Sequence, residues 1–154
     1  MLTGFLAGAD LDRALVAMPA WQRVGAIEWA MFSRHADLAN GLILYPFEAI
    51  GGVLLMIGAI ASFRAAGNGQ RATMRLLYIA VVLAITGLLL TIKAAPIMLG
   101  IRNLSDPVAL KQAFYGFLFW GNLRSVFQIA TFVSLVCALA ALRAPSAGQN
   151  VSAK

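Results

Sequence analysis

Apolar residues run almost unbroken over three stretches of the chain, 41–63, 76–98 and 118–142, and a weaker fourth run covers 2–18. A surface helix of a soluble domain sets an apolar stripe against a polar face at a period of 3.6 residues, and these stretches lack the polar face. The three longer runs also reach the roughly 20 residues that a helix needs to cross a bilayer. The pattern predicts an all-α fold, an integral membrane four-helix bundle with spans at about 2–18, 41–63, 76–98 and 118–142 in one domain over 1–143.

The first run is the most polar of the four. Asp10, Asp12 and Arg13 interrupt it, and each costs about 2.5–3.5 kcal/mol at a helix centre on insertion scales. It inserts only if its charges turn toward neighbouring helices. Asp10 and Arg13, spaced i, i+3, are placed to pair on one face. No basic n-region precedes the run, which argues against a cleaved signal peptide.

Residues 19–39 hold Trp21, Arg23, Glu28, Trp29, Arg34, His35 and Asp37, too polar a set to span. They read as helical extension and interfacial connection. Pro46 falls in the first turns of the second span, where its missing N–H matters least. Pro96 marks where the third helix bends or finishes. Ser105-Asp106-Pro107 offers a cap for a short helix ahead of the last span. The tail 144–154, with its Pro, Ser, Gly and Asn, reads as disordered.

Composition agrees with the pattern. Hydrophobic residues make up 61% and charged residues 12%, against about 25% charged in soluble domains, and the mean hydropathy is +0.83. The net charge of +6 comes from basic residues scattered singly, so it forms no stripe for nucleic acid. It orients the chain instead. The connection from Arg64 to Arg75 carries three arginines and no acid, which by the positive-inside rule places it in the cytoplasm with both termini. A bacterial inner membrane suits this topology. The lone Cys137 excludes a disulfide framework within one chain.

Candidate chemistry lies in the charges left inside the spans. Glu48 is the one acid of the 41–63 run and, at 1.5 Å per residue, sits about 10 Å below its outer end. Lys93, Arg124 and the Asp10–Arg13 group are expected at a similar depth. Intramembrane charges are expensive unless paired, and they mark functional sites by default. One account is a structural network, Glu48 with Lys93 or Arg124 and Asp10 with Arg13. The other is a polar, aromatic-lined pocket in the outer half, where a lipophilic molecule meets an acid, a base and hydrogen-bond donors.

His35, the only histidine, stands near the outer mouth as a proton carrier or as an ordinary interfacial side chain. A metal would need at least three ligands, which His35, Asp37 and Glu48 supply only if the chain folds back, and no H-x-x-x-H spacing is present. No metal site is expected. Trp120, Arg124 and Gln128 recur at i, i+4, i+8 with Asn122 beside them. Arg124 suits a carboxylate, phenolate or enolate, and Trp120 an aromatic ring. Arg124 neutralising an acid while Trp120 anchors the interface is the plainer account.

Thr3-Gly-Phe-Leu-Ala-Gly8, Met18-Pro19, the segment from Asn40 to Pro46, Phe119-Trp-Gly-Asn-Leu-Arg124 and Phe127-Gln-Ile-Ala-Thr-Phe132 carry a resemblance. On these motifs the chain resembles the anthrone oxygenase-like family of small four-helix membrane proteins, also grouped as DUF1772. For some relatives the resemblance implies oxygenation of an anthrone to an anthraquinone by O₂, without metal or flavin. Only Trp120 and Arg124 match motif positions, and Asn122 stands where a histidine is expected. The chemistry suits the candidates. Glu48 or His35 would be the base, Arg124 or Lys93 would stabilise the oxyanion, and Trp120, Tyr45 or Phe47 would stack on the ring, with Asn40, Asn122, Asp10 and Arg13 lining the site.

The expected function is thus a membrane-embedded, cofactor-independent oxygenase of a lipophilic aromatic substrate, with O₂ as co-substrate. The expected partners are a lipophilic small molecule and the lipid bilayer, with no nucleic acid. The alternative is a non-enzymatic binding or accessory protein, or a small transporter that would have to form a homo-oligomer to enclose a path.

Overall fold

A computed structural model describes residues 2–67 and 70–143, and every element in them is helical. The expected tail and the Asn68–Gly69 part of the connection between the second and third spans lie outside the described residues. Helix α1 (Leu2–Asp12) runs through a π-helical stretch (Arg13–Ala17) into α2 (Met18–Val24) as one continuous rod. Gly25, at φ +130°, then turns the chain into α3 (Ala26–His35). A Cβ at Gly25 would come within 2.7 Å of Glu28 Oε2 as well as straining the backbone.

Helices α4 (Gly41–Ala65), α5 (Arg71–Gly100) and α6 (Pro107–Arg143) follow, and these three are long and apolar enough to cross a membrane. They contain the expected runs 41–63, 76–98 and 118–142. The rod count differs from four, because residues 19–39 wind into the end of the first rod and a separate α3. Two boundaries also differ from expectation. Pro96 does not end α5, which continues to Gly100. No short helix precedes the last span either: Asp106 Oδ2 accepts the Ala109 N–H at 2.8 Å, Pro107 opens the first turn, and one 37-residue helix runs from there.

The packing is set by residue size. α5 and α6 form the most extensive pair, and α1 contacts α6 and α4 while α4 contacts α5, so the four helices meet in a cycle. Small residues allow the close approaches. A Cβ on Gly87 of α5 would lie 3.2 Å from Gln128 Nε2 of α6, and one on Gly4 of α1 would lie 3.2 Å from the Phe132 ring. Helix α3 packs on α6 at one end, where Met18, Trp29, Leu38, Met98, Phe114 and Phe117 form the largest apolar core. Trp29 meets Phe114 edge-on at 5.2 Å. Arg34 fixes α3 there by donating from Nε to the Ile101 carbonyl at 3.0 Å and from Nη2 to the Leu104 carbonyl, both just beyond the end of α5.

Polarity is distributed inside out. Ile43, Phe47, Leu54, Val82, Ile92 and Val126 are exposed on the long helices, whereas Asp10, Asp37, Thr73, Ser125, Gln128 and Thr131 are buried. That distribution fits a hydrocarbon surrounding and opposes the pattern of a water-soluble domain.

Candidate functional site

The buried charges converge where the first rod meets α6 and the link between α3 and α4. Asp10 is 3% exposed on α1 and accepts from Arg124 Nη2 of α6 at 2.5 Å. One turn later the π-helical stretch begins at Arg13, which pairs with Asp37. Spaced i, i+3, Asp10 and Arg13 are close enough to pair with each other. Here they take different partners, Arg124 and Asp37, in place of the pairing expected between them.

Asp37 is held by the turn that joins α3 to α4. The Leu38 N–H donates to the Ser33 carbonyl at 2.9 Å and the Gly41 N–H to the Ala36 carbonyl at 3.1 Å. Tyr45, one turn into α4, donates its hydroxyl to Asp37 Oδ1 at 3.4 Å and accepts from Arg13 Nη2 at 3.2 Å. Gly41 leaves room for this, since a Cβ there would come within 2.7 Å of the Tyr45 ring. The Arg13 guanidinium also lies over the Tyr45 ring at 5.3 Å and over the Phe117 ring at 5.8 Å. Asp37 Oδ2 accepts no hydrogen bond among the described residues, and Asp10 Oδ2 is buried without a partner.

Beside this cluster lies a cavity of about 130 Å³ between α4, α5 and α6. Its walls are apolar, with Leu38, Leu42, Pro46, Ala94, Met98 and Phe117 prominent, and its polar groups are Arg13, Asp37, Tyr45, Thr91 and Arg124. Pro46 has no N–H, so the Leu42 carbonyl on the same wall loses its usual donor four residues on. Arg124 spends one nitrogen on Asp10, and its other donors make no hydrogen bond among the described residues. The arrangement can hold an apolar body and present its polar end to two guanidiniums, a phenol and a carboxylate.

Of the expected site residues, the cavity gathers Tyr45, Arg13 and Arg124, with Asp10 directly behind Arg124. The others stand apart. Glu48 is half-buried on α4 and makes no ion pair among the described residues, so the expected Glu48 pairing with Lys93 or Arg124 is replaced by Asp10–Arg124. Lys93, His35, Asn40, Asn122 and Phe47 are exposed and off the cavity wall. Trp120 packs against the apolar core and Phe119 instead of lining the cavity. His35, Asp37 and Glu48 do not assemble into a ligand set, and no group of three metal-ligating side chains occurs among the described residues.

The sequence offers Asp37 only as a metal ligand, whereas in the fold it is the acid shared by Arg13 and Tyr45. Phe117 and Gly121 carried no polar signal, yet both line the cavity. No family model, no curated protein and no solved structure matches the chain.

Proposed function

We propose that the chain is an integral membrane four-helix bundle that binds a lipophilic aromatic molecule in the cavity beside Arg13, Asp37, Tyr45 and Arg124 and oxidises it with O₂. The observation that carries the reading is a mostly apolar cavity whose polar groups include a carboxylate with a free oxygen and a guanidinium with free donors. The oxygenase chemistry comes from the family resemblance. The base moves from Glu48 or His35 to Asp37, and Arg124 keeps its expected role.

Asp37 Oδ2 takes a proton from a C–H flanked by a carbonyl and aromatic rings. Arg124 and the Tyr45 hydroxyl hold the resulting enolate oxygen. The enolate gives one electron to O₂, the two radicals combine, and Asp37 returns its proton to the peroxide. Loss of water leaves a carbonyl on the former CH₂ carbon, so one oxygen atom of O₂ enters the product and the other leaves as water.

Oxygen consumption by metal-free purified protein with an anthrone-like substrate tests the reading. Turnover that falls at least 100-fold in Asp37→Asn supports it, and no consumption across a panel of activated aromatic CH₂ compounds defeats it. A second reading rests on the observation that Asp10 and Asp37 are each already paired with an arginine. The cluster would then be structural, in a non-enzymatic binding or accessory protein or a small transporter. In that case Asp37→Asn changes only stability in detergent.

A further inference from the structure

The Arg13–Asp37–Tyr45 cluster has a second side. The same three residues also help to line a second, partly open chamber of about 260 Å³, whose other walls include Asp12, Met18, Trp21 and Phe32. We propose that this chamber is a binding site for an organic ammonium group of the size of choline or ethanolamine, either free in solution or as the headgroup of a lipid.

Charge is the first ground. The chamber is lined by two acids and one base. Arg13 is already matched to Asp37, whereas Asp12, exposed at the rim, makes no ion pair among the described residues. One negative charge is therefore left over. Asp37 is buried and its charge is met by Arg13, so Asp12 carries the unmatched charge of these walls, and Arg13 is their one cation.

Shape and ring chemistry are the second. Trp21 and Phe32 stand with centroids 5.1 Å apart and planes tilted by 39°, which makes a corner of two rings beside the Tyr45 ring that Arg13 already covers. Aromatic rings grouped around a carboxylate are the usual receptor for alkylammonium ions, because the ring quadrupole attracts a diffuse positive charge that is weakly hydrated. A bare metal ion has too few oxygen ligands here, and an anion would meet Asp12.

The test uses the full chain in nanodiscs of purely anionic phosphatidylglycerol, with saturation-transfer NMR of added choline and tetramethylammonium as probes. Saturable transfer that weakens at least tenfold in both Asp12→Asn and Trp21→Leu, but not in Asp106→Asn, supports a site for free cations. Failure of the free probes, with phosphatidylethanolamine or phosphatidylcholine retained through purification by the wild-type chain and lost in the same two variants, supports a headgroup site. Circular dichroism confirms that the variants keep their helices. Neither form of binding, or binding indifferent to both variants, overturns the proposal. The outcome is independent of oxygen consumption, which reports on the other cavity.

Discussion

Arg124 reaches from α6 to Asp10 on α1, across 114 positions of sequence, and its Nη2 lies 2.5 Å from Oδ1. The side chains are 15% and 4% exposed, so the two charges neutralise each other where water gives little help. Removing one partner of such a pair costs about 3–5 kcal/mol, mostly because the other charge is left buried and alone. Arg124→Met is therefore expected to lower unfolding stability in detergent by that amount. Asp10→Asn with Arg124→Met together should cost less than the sum of the single changes. Additivity within a few tenths of a kcal/mol in the double-mutant cycle would show the pair to be uncoupled.

Tyr45→Phe removes a hydroxyl that both donates to Asp37 and accepts from Arg13. Each bond is worth about 0.5–1.5 kcal/mol net. The expected outcome is a stability loss of that order with the fold intact, together with weaker binding of a lipophilic phenol or enolate analogue. Ligand affinity equal to that of the wild-type chain would remove Tyr45 from the site.

Glu48→Gln is expected to leave ligand binding unchanged, since Glu48 has no ion-pair partner among the described residues and no place on the cavity wall. Its stability effect should stay within about 0.5 kcal/mol, as for substitutions away from packed features. A binding loss as large as that of Asp37→Asn would return Glu48 to the centre of the site.

Gly121 lies on the cavity wall, and a Cβ added there meets no atom within 4 Å. Gly121→Ala should therefore gain helix propensity, up to about 1 kcal/mol, without disturbing the wall. Gly121→Leu should project into the cavity and abolish ligand binding while the chain still folds. Unchanged affinity in Gly121→Leu, measured by titration of the lipophilic probe, would show that the ligand sits elsewhere.

Much of this was readable in the sequence, for a definite reason. Length and apolar continuity locate α4, α5 and α6 because those helices satisfy their backbone internally and need no partner to be recognised. Arg124 and Tyr45 stood out as polar groups in apolar runs. The pairing could not be read, since it depends on what the fold brings in from elsewhere. The helical period sets Arg13 near Asp10, but Arg13 pairs with Asp37 and Asp10 with Arg124, partners 24 and 114 positions away. Asp37 was obscured by its setting in 19–39, where polar residues look like solvent-facing ones. Glu48 stood out by contrast with its neighbours, and contrast along a chain says nothing about what lies across from it.

The lengths of α4 and α6 carry a consequence for the charges. Measured along the helix at 1.5 Å per residue, Tyr45 lies about 30 Å from the Ala65 end of α4 and Arg124 about 28 Å from the Arg143 end of α6. Hydrocarbon is about 30 Å thick. Were Arg64 and Arg143 set at one headgroup layer, the Asp10–Arg124 and Arg13–Asp37 pairs would come to rest near the opposite boundary and not at the midplane. The remaining turns of α6, from Pro107 to Trp120, would then stand outside the oily layer with α3 against them, which would set the charged cluster at the seam between oil and headgroups.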